Sequence, residues 1–189
     1  MEELIIGLGS NLGDRQANLE EAIRRLSQRF GAPLRISSFI ETEPWGYQSE
    51  NRYLNGAVIF LVKEVGADRR SRYSGIDEVE EVNKVGEVEE AGAKRRSRYS
   101  GIEILKWLKG IEKDMGRITK NDGYSDRSVD LDILFLGDRI IRTPELIIPH
   151  PHLHEREFVL RPLLEICPQK VHPALRLTIA EIVRNSEEW

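Results

Sequence analysis

A single cysteine, Cys167, stands in the 189 residues, so the chain can form no internal disulfide. Nothing therefore points to an oxidising compartment. Leu163, Leu164 and Ile166 precede Cys167, the setting of a buried inert thiol rather than a nucleophile. No apolar run approaches the ~18 residues that a membrane span needs. The first residues after Met1 are two glutamates, not a basic signal region. Positive charge is not in excess either: 28 Lys and Arg face 32 Asp and Glu, a formal net charge of −4. A general nucleic-acid binder is usually basic. No His/Cys set has zinc spacing, and no P-loop or G-x-G-x-x-G run occurs. These absences lead us to expect a cytoplasmic protein with neither a membrane nor a nucleic-acid partner. The length suits one domain, residues 1–189.

What is present centres on Arg127-Ser128-Val129-Asp130-Leu131-Asp132-Ile133-Leu134-Phe135-Leu136. Its apolar residues read as a strand, yet it carries two aspartates, a type depleted in strands. Side chains alternate with period 2, so Asp130 and Asp132 share one face, and Leu131, Ile133 and Phe135 are expected on the other. Two adjacent carboxylates repel unless a hard cation sits between them, and Mg²⁺ takes one or two carboxylates plus water and phosphate oxygens. An edge strand with two solvated aspartates is the bland alternative. Arg117, Lys120 and Arg127 precede the pair, and Pro149-His150-Pro151-His152-Leu153-His154-Glu155-Arg156 follows. Acids for a metal with bases for phosphates is the layout of phosphoryl transfer.

Taken in order, Leu4–Leu8 reads as a strand and Gly9–Asp14 as a turn. Asp14 is the expected cap of a helix carrying Leu19, Ala22, Ile23, Leu26 and Phe30. A second strand is predicted over residues 34–42, a loop over 43–48 and a third strand over Tyr53–Val62. Asn55 within that strand needs a hydrogen-bonding task, since unpaired buried amides are costly. Gly66–Ile76 recurs as Gly92–Ile102 with only its third residue changed. This duplication reads as a surface insert at about 66–102, where added length is tolerated. Its simplest reading is a charged loop, and an Arg-rich interaction site is the alternative. A helix over Glu103–Met115 and a polar loop over Arg117–Ser125 lead to the aspartate strand. A short strand, a proline-bounded turn and helices over Glu157–Ile166 and Ile179–Asn185 close the chain, the last capped by Thr178. The order β-α-β-β-α-β is ferredoxin-like, class α+β, an antiparallel sheet with helices mostly on one face plus added helices and a hairpin.

Four motifs in series carry a resemblance. They are Gly9-Ser10-Asn11-Leu12; Glu41-Thr42-Glu43-Pro44-Trp45-Gly46 with Tyr53-Leu54-Asn55; Gly116-Arg117 through Arg127 to Asp130-Leu131-Asp132-Ile133; and Pro149-His150-Pro151 with Arg156-Glu157-Phe158-Val159-Leu160. On these the chain resembles the 6-hydroxymethyl-7,8-dihydropterin pyrophosphokinases of folate biosynthesis. The resemblance implies an ATP-dependent diphosphotransferase whose small-molecule substrates are ATP and a reduced pterin. It implies two Mg²⁺ held by Asp130 and Asp132, with Arg117 and Arg127 neutralising the transferring group. Glu112, Lys120, Ile133, Leu146, His150 and Arg156 would form the ATP side. Thr42, Trp45, Tyr53, Asn55, Tyr124 and Phe158 would form the pterin side. The chemistry is consistent, since a pterin is flat and edged with donors and acceptors that an amide and aromatic faces can meet.

The chain also departs from the family pattern. Tyr124-Ser125-Asp126-Arg127 stands where Trp and Gly-Pro often precede the arginine, and Thr119 stands where a basic residue is common. Asp126 adds negative charge beside a site for ATP. A ferredoxin-like binding or interaction module without catalysis is the alternative, and the paired aspartates argue against its RNA-binding form.

Overall fold

The computed structural model describes residues 1–46, 49–62, 99–116 and 126–186. Its first strand, β1 (Glu2–Ser10), is central and almost wholly buried. It is followed by α1 (Arg15–Phe30), the short strands β2 (Arg35–Ile36) and β3 (Ile40–Thr42), and β4 (Tyr53–Val62). Then come α2 (Gly101–Asp114), β5 (Asp130–Leu136), a small hairpin of β6 (Ile141–Arg142) and β7 (Ile147–Ile148), α3 (Glu157–Ile166) and α4 (Ile179–Asn185). β1 pairs antiparallel with β4 on one side and β5 on the other, and β2 and β3 both pair with the outer edge of β4. This is the expected ferredoxin-like α+β sheet. No described helix is long and apolar enough to cross a membrane.

Local signals in the sequence account for the element ends. The Asp14 carboxylate accepts from Ala17 N at 3.0 Å and caps α1. Leu19, Ala22 and Leu26 form its buried stripe. Thr178 caps α4 in a reciprocal box with Glu181.

Three expectations need correction. The predicted strand over 34–42 is two short strands, because Ser37 interrupts the ladder. Its hydroxyl accepts from Ala57 N at 2.9 Å, and the next amide, Ser38 N, goes to Glu165 of α3. Polar side chains of this kind compete with strand pairing. Second, Phe135 does not share a face with Leu131 and Ile133. Ile5 pairs with Phe135 but Ile6 pairs with Ile133, so Leu134 is the extra residue of a β-bulge. Leu131 and Ile133 enter the core under α1 and α2, whereas Leu134 and Phe135 enter the one under α3 and α4. Third, the helices are not mostly on one face, since α3 and α4 cover the second side with Leu160, Leu163, Ile179 and Ile182.

The duplicated segment also ends inside the fold rather than on its surface. Tyr99 is buried against Phe30 with ring centroids 5.4 Å apart, and the Arg29 guanidinium lies 4.7 Å from its ring centre. Ser100 caps α2 in a capping box with Glu103. Gly101 is a close-approach position, where a Cβ would fall 2.8 Å from Leu146. The remainder of the predicted insert lies outside the described residues. Ser100→Ala is expected to remove about 1 kcal/mol and lower the melting temperature by about 2–4 °C; an unchanged melt would show the cap to be dispensable.

Candidate active site

One cleft gathers the start of β5, the end of β1, the start of β4, the loop after β3 and the first turn of α3. Its lining includes Thr42, Glu43, Trp45, Tyr53, Asn55, Arg127, Asp130, Asp132, Arg156 and Phe158. The empty space is about 660 Å³, a figure that includes open solvent at the cleft mouth. Gly9 keeps its floor low. A Cβ there would lie 3.0 Å from Asn55 Oδ1.

Antiparallel pairing sets Asp130 opposite Gly9 and Asp132 opposite Gly7, so both carboxylates rise on the cleft face between small neighbours. Burial, and then the negative charge of Asp130, push the Asp132 carboxyl up to about 6. Arg127 Nη1 lies 2.9 Å from Asp130 Oδ1, with only 10 % of the arginine side chain exposed. Two repelling carboxylates with an arginine fork beside them suit a divalent cation shared with phosphate oxygens. No group of three or more His, Cys, Asp or Glu suited to a metal occurs among the described residues. The donor set therefore fits Mg²⁺ completed by ligand and water, not an all-protein cage.

The opposite wall is aromatic and amidic. Asn55 donates to Thr42 Oγ1 at 2.8 Å, which orients its amide at the cleft floor. Arg156 stacks on Trp45, its Cζ 4.3 Å from the ring centre, and lies 5.6 Å from that of Phe158. Its Nε is buried without a hydrogen-bond partner among the described residues. A buried guanidinium N–H left in that state is costly unless an anion completes it. At the rim, His150 is pulled down to about 4 by burial and by the positive charges of Arg156 and His152. Its Nδ1 accepts from His152 N at 3.3 Å, which assigns the ring proton to Nε2. His150 is thus a neutral donor at pH 7, suited to an anionic oxygen and not to base catalysis.

The comparisons with known proteins show the family. The model of the family described as 7,8-dihydro-6-hydroxymethylpterin-pyrophosphokinase (HPPK) matches residues 5–81 and 90–168. The chain belongs to this family. It is 34% identical over 176 residues to the 2-amino-4-hydroxy-6-hydroxymethyldihydropteridine pyrophosphokinase of Porphyromonas gingivalis, covering 92% of this chain and 95% of that one. It is 31% identical over 181 residues to the Aquifex aeolicus protein of the same name, covering 96% and 90%. Among solved structures, the HPPK-DHPS of Plasmodium falciparum superposes with a TM-score of 0.62 at 15% identity. That match covers 97% of this chain, which spans 42% of the longer one, and it supports the shared fold.

With the pyrophosphokinase family in view, the expected site residues sort into three groups. Nine meet in the cleft: Thr42, Trp45, Tyr53, Asn55, Arg127, Asp130, Asp132, Arg156 and Phe158. Four do not line it. Ile133 and Leu146 are buried in the core under α1 and α2, and His150 stands at the rim. Glu112 is 1% exposed, accepts from Leu131 N at 2.8 Å and pairs with Lys109 at 3.0 Å. Its carboxylate braces β5 through the Leu131 amide, a role that the sequence pattern did not reveal. Arg117, Lys120 and Tyr124 lie outside the described residues. Cys167 is the inert thiol expected, its pKa pushed up to about 12 by burial. The sequence reading missed Glu43 as a lining residue. It also missed the ties between Asn11, Asp126 and Arg127, whose only local signal was the Gly-Ser-Asn-Leu turn.

Proposed function

We propose that this cleft transfers a diphosphoryl group from Mg-ATP to the hydroxymethyl oxygen of 6-hydroxymethyl-7,8-dihydropterin. The hydroxyl oxygen attacks the β-phosphorus, the bond from that phosphorus to the α,β-bridging oxygen breaks, and AMP leaves as the hydroxyl proton is lost. The observation that carries the reading is the convergence of Asp130, Asp132, Arg127 and Arg156 with Asn55, Tyr53 and Phe158 in one cleft.

Each residue then has a task that its surroundings support. Asp130 and Asp132 would hold Mg²⁺, two ions by family resemblance, and the metal would offset charge on the phosphates. Arg127 aims its fork at the transferring group. Arg156 supplies the buried Nε to an anionic oxygen, and His150 donates from Nε2. Asn55 reads the edge of the pterin while Tyr53 and Phe158 offer ring faces. No strong base is required, because such transfers depend mainly on positioning and charge stabilisation. Arg117, Lys120 and Tyr124 complete the ATP and pterin sides in this proposal, and the reaction runs in the cytoplasm, where Mg-ATP is abundant.

The test is AMP release from Mg-ATP with and without the pterin. AMP that appears only with the pterin supports the reading. AMP independent of the pterin, or none at all, overturns it.

A further inference from the structure

We infer that Asp126 is a positioning residue that holds Arg127 in line with the reacting phosphates. The inference rests on the pyrophosphokinase reading of the cleft. Three neutral donors converge on the Asp126 carboxylate. Asn11 Nδ2 reaches Oδ1 at 2.7 Å, Ser49 Oγ reaches Oδ1 at 2.8 Å, and Asn51 Nδ2 reaches Oδ2 at 2.6 Å. Asn11 is only 3% exposed and holds both backbone groups of Arg127. Its Oδ1 accepts from Arg127 N at 2.8 Å, and its own N donates to Arg127 O at 3.1 Å.

One carboxylate thus ties together three pieces of chain. Asn11 follows β1, whose Gly9 lies opposite Asp130. Ser49 and Asn51 lead into β4, which carries Tyr53 and Asn55 of the pterin wall. Arg127 leads into β5 and the aspartate pair. A negative side chain so near a triphosphate site would by itself weaken ATP binding. Convergent donors give it a different use, since charge-assisted hydrogen bonds are the stronger kind. Without the carboxylate, Asn11 Nδ2 loses its 2.7 Å acceptor and keeps the longer 3.4 Å contact to Asn51 O, which loosens the amide that holds the Arg127 backbone. A misplacement of about 1 Å at a reacting group can slow catalysis about 10²-fold.

The test compares Asp126→Ala, Asp126→Asn, Arg127→Ala and the Asp126→Ala/Arg127→Ala double variant in the full chain, by steady-state AMP formation and thermal melting. Asp126→Ala is expected to lower kcat about 10- to 100-fold while both KM values stay within about 3-fold of wild type. Asp126→Asn is expected to recover to within about 5-fold, because its amide oxygen still accepts from Asn11 and Ser49. In the Arg127→Ala background, removing Asp126 is expected to change kcat by less than about 2-fold, since the two act as a unit. An unchanged kcat in Asp126→Ala, a lowered KM for ATP, full additivity with Arg127→Ala, or an Asp126→Asn no better than Asp126→Ala overturns the inference. Should Asp126→Ala fail to fold, Asn51→Ala removes one donor at an exposed position. It is expected to lower kcat about 3- to 10-fold, and an unchanged kcat again overturns the inference. A wild-type chain that forms no AMP defeats the pyrophosphokinase reading itself, whereas an active chain indifferent to Asp126 defeats only this step.

Discussion

Asp132→Asn is expected to abolish diphosphate transfer and at the same time to stabilise the metal-free protein. Both effects have one cause. Asp132 is a buried carboxylate beside Asp130, and its pKa is pushed up to about 6 from an ordinary 3.8. In the proposed site a cation shared with ATP would offset that repulsion. The asparagine cannot replace a charged ligand, so several kcal/mol of charge stabilisation disappear, about 10³-fold or more in rate. Without metal the carboxylate opposes folding. For an acid raised in the folded state, folding takes up protons between the unfolded and folded pKa values, and stability falls as pH rises through that window. The penalty is fully present above about pH 6 and disappears as pH falls toward 3.8. It amounts to roughly 1–3 kcal/mol at pH 7. In chelator at pH 7, the variant should therefore melt several degrees higher than wild type. The gap should close as pH is lowered to about 4, through the window that the shift defines. Mg-ATP should raise the wild-type melting temperature but not that of the variant. Near-normal turnover in the variant would remove Asp132 from the metal site.

Arg127→Ala is expected to lower kcat by about 10²–10³-fold, the usual loss for one preorganised charge-stabilising donor, while the KM for ATP moves by less than about 3-fold. The guanidinium is almost enclosed and sits 2.9 Å from Asp130. It shares an aspartate that a cation would also claim in the proposed site. Lysine should not rescue it, because a point charge lacks the planar fork that spans two oxygens. Steady-state and single-turnover rates of AMP formation separate these cases. A raised KM with unchanged kcat would recast Arg127 as a binding residue only.

Much of this site can be read from local patterns. Two aspartates at a spacing of two on a strand must share a face, and pairing with β1 placed both in the cleft. The Asp14 and Thr178 caps and the Leu19–Ala22–Leu26 stripe were likewise visible, because each depends on neighbours a few residues away. The four motifs were enough to identify the family before any coordinates.

Other features depended on contacts distant in sequence. Asn11 and Asp126 meet across 115 positions, so the local sequence presents Asp126 only as an unwelcome charge near ATP. The resemblance puts Glu112 on the ATP side, and only the packing of α2 on β5 shows its buried carboxylate taking the Leu131 amide. Two identical copies of Arg-Tyr-Ser-Gly-Ile sit in the chain, at 72–76 and 98–102. Only packing against Phe30 and Leu146 shows that the end of the second copy belongs to the core. The bulge at Leu134 turns Phe135 toward α3, and no composition signal marks it, because both faces of this sheet are apolar. The sequence by itself determined the α+β class, the paired carboxylates and the family, since these follow from periodicity and short motifs. Tertiary structure alone decided which charges are braces, that the end of the second copy is core and what holds Arg127 in place, since those depend on burial and partners that meet only when the sheet closes.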